Sequence, residues 1–149
     1  YHNPKRWAYT FQNMAFITRI INFINQIKKT NKKIVFTERC IQTDRHVFAN
    51  FLYHQNNINN IEKQCYDLWY KKLGKYYKVN HFIYLKTSVK KSSQRIKHRN
   101  RTEELELVDN TNYLKQIKKY HNKWLLKNNK NVENYMVRLF ALSSSIERI

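Results

Sequence analysis

The chain has only one glycine, one proline and two cysteines in 149 residues, and each scarcity excludes a class of protein. A single glycine excludes a phosphate-binding loop of the form GxxxxGK(S/T), which needs glycines where backbone amides approach phosphates. Because no Pro/Gly-rich linker and no internal repeat divides the sequence, we predict one domain over residues 1–149. Cys40 and Cys65 are too few for a disulfide framework, so we expect a reducing, intracellular compartment.

The sequence also lacks long apolar runs and metal-ligand patterns. No stretch approaches the roughly eighteen apolar residues of a membrane helix, and the start YHNP does not resemble a signal peptide. We therefore expect a soluble, cytoplasmic protein with no membrane partner. The six histidines are scattered and neither cysteine has ligand spacing, so we expect no metal site made of His or Cys.

Acidic residues are scarce, with 10 against 29 lysines and arginines, which gives a formal net charge of +19. A basic chain can neutralise nucleic-acid phosphates and release their counterions. Here the lysines are spread over the ends and polar faces of predicted helices, which favours a solvated surface. Nucleic acid stays an open but less favoured partner.

Apolar and aromatic residues are plentiful: 42% of the chain is hydrophobic, with eight Phe, eleven Tyr and three Trp, enough for a core. Apolar periodicity and turn residues predict these elements in chain order: helix 4–29, strand 33–37, helix 45–54, a helix between Asn59 and Gly74, strand 81–85, helix 89–97, helix 111–127 and strand 136–142. The alternation indicates an α/β fold with a parallel sheet. In the helix after Asn59 we expect an inward face of Ile61, Cys65, Leu68, Trp69 and Leu73.

A charged run, ERCIQTDR at 38–45, directly follows the apolar strand predicted at 33–37. In open α/β sheets, ligands collect in the crevice beyond the carboxyl ends of the strands. An acid followed by an arginine can there bind an anionic or hydroxyl-bearing substrate. This run is therefore a candidate ligand site, although the motif is weak by itself.

Three residues of the first predicted helix, Gln12, Ala15 and Arg19, are spaced by three and four and share one face. An amide both donates and accepts hydrogen bonds, as the edge of a nucleobase requires. Arg19 can pair with Asp44 and orient that recognition. The alternative is a polar stripe on an exposed helix.

The order of four segments resembles one family: RWAYTFQ at 6–12, Arg19, the run at 38–45, and RIKHRNRTEE at 95–104. Together they resemble the deoxynucleoside kinases, over roughly residues 1–126. The resemblance implies a P-loop kinase-like parallel sheet flanked by helices, incomplete at its N-terminus. It also implies transfer of the ATP γ-phosphoryl group to a deoxynucleoside 5′-hydroxyl with Mg²⁺, in nucleotide salvage and DNA precursor synthesis.

In relatives the P-loop, the first strand and the catalytic acid precede the position of Tyr1. We therefore expect that these 149 residues have no ATP cradle and show no turnover alone. The alternative is a catalytically inactive, kinase-like basic protein that binds nucleosides or nucleic acid. The family also implies a homodimer through helices like the first and the one at 45–54.

The resemblance also implies roles for individual residues. Ala15, Arg19 and Asp44 form the combination of the deoxycytidine and deoxyguanosine kinases, which favours deoxycytidine or a purine deoxynucleoside. The implied substrate-binding residues are Tyr1 and Glu104 at the 3′-hydroxyl, Gln12, Ala15, Arg19 and Asp44 at the base, and Trp7 and Phe48 along the pocket. Trp7 has a simpler alternative, a place in the core.

Arginines are the implied catalytic residues. Arg39 matches the arginine near the 5′-hydroxyl, and Arg95, Arg99 and Arg101 match a lid that clamps the transferred phosphoryl group. Guanidinium groups stabilise charge on the equatorial oxygens of that group. For any single lid arginine, the alternative is a basic helix end that complements the helix dipole.

Overall fold

A computed structural model describes residues 3–102, 104, 111–128 and 132–135. The described elements in chain order are α1 (Pro4–Lys29), α2 (Ile41–Thr43), a π-helical stretch (Asp44–Ala49), α3 (Asn50–His54), α4 (Asn60–Leu73), a 3₁₀ turn (Gly74–Tyr76), β1 (Phe82–Leu85), α5 (Val89–Arg99), α6 (Thr111–Asn128) and β2 (Val132–Tyr135). Helices dominate, and no helix among the described residues is long and apolar enough to cross a bilayer.

The first helix, α1, has the predicted limits. The Asn3 side chain accepts a hydrogen bond from the Arg6 amide at 3.2 Å, and Pro4 occupies the first turn, where its missing amide is not needed. Lys28 and Lys29 lie in the last turn, where they complement the helix dipole. The buried residues recur every fourth position and are Ala8, Gln12, Phe16 and Ile20.

The predicted strand at 33–37 is wrong. This segment is irregular, and its apolar side chains face solvent, with Ile34 72% and Phe36 79% exposed. A strand exists only by pairing with a neighbour, and β1 and β2 pair with each other among the described residues. A short apolar run cannot reveal whether a partner strand is present, which is why the pattern misled.

The predicted helix at 45–54 begins four residues earlier, at Ile41, and is not a regular α-helix. Its middle, Asp44–Ala49, is π-helical, and the Asn50 amide closes this stretch on the carbonyl of Arg45. The segment runs through the core, where Ile41, Val47 and Ala49 are fully buried. π-Helical turns often occur at functional sites because they rotate side chains out of α-helical register.

The helix α4 begins as predicted but buries a different face. The Asn59 side chain accepts from the Glu62 amide, and the Glu62 carboxylate accepts from the Asn59 amide, which forms a capping box. Of the predicted inward residues, Cys65 and Leu73 are half-buried, whereas three are exposed: Ile61 at 73%, Leu68 at 54% and Trp69 at 47%. The inward face is instead aromatic, because Phe16 of α1 packs against Tyr66 and Tyr70.

The sheet consists, among the described residues, of β1 and β2 in parallel, with Phe82 opposite Val132 and Leu85 opposite Tyr135. Strand 81–85 was therefore predicted correctly, and the helices predicted at 89–97 and 111–127 become α5 and α6, which lie between the two strands in the sequence. The strand predicted at 136–142 lies outside the described residues. The described residues thus contain one parallel strand pair and are otherwise helical, so they do not confirm the predicted sheet.

The core is one cluster that joins α1, the π-helical stretch, α4 and α6. Its buried members are Phe16, Ile20, Cys40, Ile41, Val47, Ala49, Tyr66, Tyr77, Trp124 and Leu125. Gly74 ends α4, as predicted. A Cβ atom added to Gly74 would lie 3.7 Å from Ile41 Cδ1, an ordinary van der Waals contact. This cluster fixes α1 against the π-helical stretch, and the candidate site lies where those two meet.

Candidate functional site

The centre of the site is an ion pair between α1 and the π-helical stretch. Arg19 Nε donates to Asp44 Oδ2 at 2.7 Å, and Arg19 Nη1 donates to the Glu38 carbonyl at 3.4 Å. Asp44 is 3% exposed, and a quarter of the Arg19 side chain remains exposed. The predicted pairing of these two residues is confirmed.

Burial sets the electrostatics of this pair. Desolvation raises the pKa of Asp44, and the Arg19 guanidinium, with Arg39 further away, opposes that rise. A buried carboxylate of this kind keeps its charge through its partner, so removing the arginine leaves an uncompensated charge. The two side chains therefore act as one fixed, directional polar unit.

Gln12 lies two helical turns before Arg19 on the same face of α1 and is 5% exposed. The fully enclosed side-chain polar atoms without a hydrogen-bond partner among the described residues are Asn13 Oδ1, Gln42 Oε1 and the Tyr66 hydroxyl, and the Gln12 amide is not one of them. Gln12 thus places an amide, which can donate and accept hydrogen bonds, on the helix face that carries the ion pair.

A cavity of about 620 Å³ opens between the second half of α1 and the segment at 35–39. Three predicted site residues line it: Ala15, Arg19 and Arg39. Its volume lies in the range of small-molecule sites, about 300–1,000 Å³. The structure therefore brings Ala15, Arg19 and Arg39 to one opening, whereas the predicted site residues Gln12, Asp44 and Phe48 do not line it.

Arg39 has a left-handed backbone, with φ 61°, which is uncommon for a residue other than glycine. Its guanidinium lies 5.1 Å from the centre of the Phe48 ring, a cation–π contact. Phe48 in turn meets the edge of the His121 ring. Burial and the nearby charge of Arg39 lower the pKa of His121, while its bond to the Ile117 carbonyl opposes this.

The predicted lid residues form a second cluster at the end of α5. Arg99 bonds to Glu104, and Arg101 lies 3.6 Å from the other oxygen of the same carboxylate. Arg95 is exposed one turn earlier on the helix. Asn100 adopts a left-handed conformation, φ 51°, and ends the helix between Arg99 and Arg101. These side chains do not line the cavity beside Arg19 in the described structure.

Trp7 is neither in the core nor beside Gln12. It is 55% exposed, and the Arg6 guanidinium covers its ring at 4.4 Å from the ring centre. Trp7 and Gln12 are five positions apart, which places them on different sides of the helix. The core alternative for Trp7 is therefore wrong. Tyr1, Glu103 and the segment after residue 135 lie outside the described residues.

Tyr77 lines the cavity and was missed by sequence reasoning. It is 2% exposed, and its hydroxyl lies 3.4 Å from Thr37 Oγ1 and 3.5 Å from the Arg39 carbonyl oxygen. The sequence does hint that Tyr77 points inward: Tyr77 and Val79 alternate with Lys78 and Asn80, which is typical of an extended segment with one inward side. The contact with the Arg39 turn, 38 residues away, carries no local signal.

Comparison with known proteins decides the family. A model of the deoxynucleoside kinase family matches residues 1–145. The chain belongs to the deoxynucleoside kinase family. That family has the P-loop kinase fold, and the described residues contribute helices and one parallel strand pair to it.

The chain is similar to deoxynucleoside kinases of several animals and of a poxvirus. It is 36% identical to a probable deoxycytidine kinase of fowlpox virus over 131 residues, which cover 87% of this chain and 54% of that protein. It is 34% identical to chicken deoxycytidine kinase 2 over 133 residues, 84% of this chain and 49% of the relative. It is 28% identical to mitochondrial deoxyguanosine kinase of Xenopus laevis over 160 residues, 99% and 60% of the two chains. The chain thus spans about half the length of the curated relatives it matches.

The residues of this deoxynucleoside kinase family member do not fit ATP phosphates or Mg²⁺. Its single glycine, Gly74, ends α4 in the core and forms no phosphate loop. Among the described residues, no group of three or more His, Cys, Asp or Glu side chains is placed to hold a metal ion. What the described residues do supply is a cavity lined by Ala15, Arg19 and Arg39, the ion pair of Arg19 with Asp44, and a separate cluster of Arg99, Arg101 and Glu104 at the end of α5.

Proposed function

We propose that this chain forms the nucleoside pocket and lid of a deoxynucleoside kinase that phosphorylates the 5′-hydroxyl of deoxycytidine or a purine deoxynucleoside. The observation that carries the proposal is the buried Arg19–Asp44 pair, on the same side of α1 as the largely buried side chain of Gln12. The hydrogen-bonding groups of Arg19, Asp44 and Gln12 together match the edge of a base that carries an amino group. The kinases named above for fowlpox virus, chicken and Xenopus laevis support this substrate class.

Base recognition follows from the hydrogen-bonding capacities of these groups. In our proposal Gln12 donates to and accepts from the Watson–Crick edge, since an amide carries both functions. The Arg19–Asp44 pair lies beside Ala15 and provides polar partners for an exocyclic amino group. It also crowds the space that a C5-methyl would need, which disfavours thymidine.

The remaining roles concern the sugar and the transferred group. Arg39 faces the 5′-end of the substrate in this proposal, with Phe48 beside it, and Glu104 and Tyr1 hold the 3′-hydroxyl. Trp7 stays a proposed pocket residue only if another part of the protein covers its exposed ring. Arg95, Arg99 and Arg101 stabilise the transferred phosphoryl group, because permanently charged guanidinium groups meet the charge on its oxygens.

The phosphoryl donor is ATP, with Mg²⁺, in this proposal. Because these 149 residues do not fit either group, their cradle and the catalytic base must come from residues outside this sequence. We therefore expect these residues alone to bind nucleoside without turnover. The complete fold would be a parallel sheet flanked by helices in one domain, acting in nucleotide salvage in the cytoplasm.

Self-association is the proposed quaternary state. The exposed large apolar residues of α1, including Trp7, Met14 and Ile21, make this helix a candidate dimer surface. The helix at 45–54, the second one implied by the family, is mostly enclosed in the core. α4, with Ile61 and Leu68 exposed, is a better second element.

Titration calorimetry with four deoxynucleosides tests the proposed function. We expect deoxycytidine, deoxyguanosine or deoxyadenosine to bind at least about tenfold more tightly than thymidine, because a misfitting polar edge leaves groups unpaired. Arg19→Met together with Asp44→Leu should abolish that preference while the double variant stays folded, since both charges leave together. Gln94→Ala, on the exposed face of α5, is the matched control and should retain it.

Two results would contradict the proposal. Equal binding of all four deoxynucleosides would exclude base recognition by the Arg19–Asp44 pair. Absence of deoxynucleoside binding, with DNA binding that weakens steeply as salt rises, would support a basic nucleic-acid-binding protein instead.

A further inference from the structure

The turn at 37–42 carries Arg39 in a strained conformation. A left-handed backbone at a residue other than glycine persists only when its surroundings hold it there, and such residues concentrate at functional sites. Arg39 is exposed, so its own side chain has few contacts that can fix it apart from the Phe48 ring. Other groups must therefore hold its backbone.

Tyr77 contacts this turn near both of its ends. Its hydroxyl donates to the Arg39 carbonyl at 3.5 Å, and the same hydroxyl lies 3.4 Å from Thr37 Oγ1. Thr37 Oγ1 also donates to the Arg39 carbonyl, at 3.3 Å. At the far end, Gln42 Nε2 donates to the Tyr77 carbonyl at 3.4 Å. Two hydroxyls thus converge on the carbonyl that follows the left-handed φ.

Tyr77 is itself firmly placed. It is 2% exposed, and its ring centre lies 4.0 Å from that of Phe23 on α1. The same helix carries Arg19, and both Tyr77 and Arg19 line the cavity. Tyr77 therefore contacts both α1, through its ring, and the turn that carries Arg39, through its hydroxyl, and it fixes the turn relative to the helix.

We propose that Tyr77 is a positioning residue for Arg39: its hydroxyl, with that of Thr37, sets the turn so that the guanidinium reaches the 5′-end of the substrate. This inference rests on the proposed function, which gives Arg39 its place near the 5′-hydroxyl. Tyr77 acts through the Arg39 backbone, so its effect falls on the 5′-end and not on the base.

The test compares Tyr77→Phe, which deletes only the hydroxyl, with the unchanged 149-residue chain. Affinities for deoxycytidine and for deoxycytidine 5′-monophosphate are measured by titration calorimetry. We expect Tyr77→Phe to weaken the monophosphate by roughly three- to tenfold, the effect of one modest hydrogen bond. Deoxycytidine binding should change by less than about twofold, because its base and sugar contacts remain.

Three further variants make the test specific. Thr37→Val, at an exposed position, should repeat the pattern even if Tyr77→Phe folds poorly. Tyr76→Phe, next in sequence and 55% exposed, is the matched control and should change neither affinity. In an Arg39→Ala background, Tyr77→Phe should have no further effect on the monophosphate, because its target is gone.

The outcomes separate this inference from the function it rests on. Additive effects of Tyr77→Phe and Arg39→Ala, or equal weakening of both ligands, would overturn the positioning role while the nucleoside pocket stands. An unchanged monophosphate affinity in both Tyr77→Phe and Thr37→Val would do the same. If the unchanged chain binds neither ligand, the proposed function fails and the inference fails with it.

Discussion

At the scale of single residues, burial decides which polar groups matter. Asp44 is enclosed and held by Arg19, whereas Arg95 on α5 projects into solvent. His46, two residues after Asp44 in the π-helical stretch, lies almost parallel to the Trp124 ring at 5.4 Å and edge-on to Tyr70. This histidine has no proposed catalytic role, but its enclosure makes it a sensor of pH for the fold.

We predict that His46 makes the protein less stable in mild acid. Burial first, and then the adjacent Arg45 and Lys63, lower its pKa from 6.5 to about 4, while Asp67 opposes them. Between these values the unfolded chain binds a proton that the folded chain does not, so the free energy of unfolding falls as pH drops from 6.5 to about 4. Allowing for its partial exposure, we expect His46 to contribute about 1–2 kcal/mol to that loss.

Urea unfolding at pH 7 and at mildly acidic pH measures this effect. His46→Phe keeps the stacking with Trp124 and should lose about 1–2 kcal/mol less than the unchanged chain on acidification. Some slope will remain, since the pKa of His121 is lowered by burial in the same direction. His98→Gln, at an exposed position, is the control. An unchanged slope in His46→Phe would contradict the assignment.

At the scale of elements, helix limits depend on local caps. The capping box of α4 uses the side chains of Asn59 and Glu62 to satisfy each other's backbone amides. Because α4 supplies Tyr66 and Tyr70 to the core, fraying at its start weakens the support of α1.

We predict that Asn59→Ala destabilises the chain by about 1 kcal/mol, the usual cost of a lost N-cap. Thermal and urea unfolding, with the deoxycytidine affinity measured in parallel, check this. Gln64→Ala, at an exposed position of the same helix, should cost nothing. Equal stability of both variants would show that the cap is not needed once α4 packs.

Local signals explain which elements the sequence predicted. Pro4, Asn59 and Gly74 mark helix ends through backbone chemistry that acts over a few residues, so those limits were correct. The face of α4 was predicted wrongly because apolarity favoured Leu68 and Trp69, while the partner on α1 is the aromatic Phe16. Strand 33–37 failed because strand pairing depends on residues distant in sequence.

The contacts of the candidate site also divide into those that the sequence could predict and those that depend on residues distant in sequence. The pairing of Arg19 with Asp44 was predictable from helical spacing and family resemblance together. The support of Arg39 by Tyr77 was not, because it depends on how the segment after α4 returns to α1. The convergence of Arg99 and Arg101 on Glu104 was only partly foreseen, since Glu104 was assigned to the sugar.

At the scale of the whole molecule, two properties act on self-association: α1 carries a row of exposed apolar residues, and the chain carries a large net positive charge. Trp7, Met14 and Ile21 recur every seven residues on α1 and are 55%, 62% and 50% exposed. That spacing places them on one side of the helix, as in helices that pair with a second helix. A net charge of +19 opposes pairing of two copies, so added salt should strengthen a dimer by screening.

We predict that Met14→Glu converts a dimer to a monomer. Sedimentation velocity at about 0.15 M and 0.5 M salt should show a dimer that strengthens with salt in the unchanged chain and disappears in the variant. Gln94→Glu, which adds the same charge on exposed α5, should leave the dimer intact. A monomer at all salt concentrations in the unchanged chain would contradict a dimer surface on α1.

The exposed segment at 33–37 has a consequence for how the chain behaves in concentrated solution. Ile34, Val35 and Phe36 are apolar and exposed, and residues 33–36 make no backbone hydrogen bond to other described backbone. Such a stretch can add to the open edge of a strand in a neighbouring molecule. At high protein concentration, this exposed apolar segment is therefore a candidate site for edge-to-edge association of neighbouring molecules.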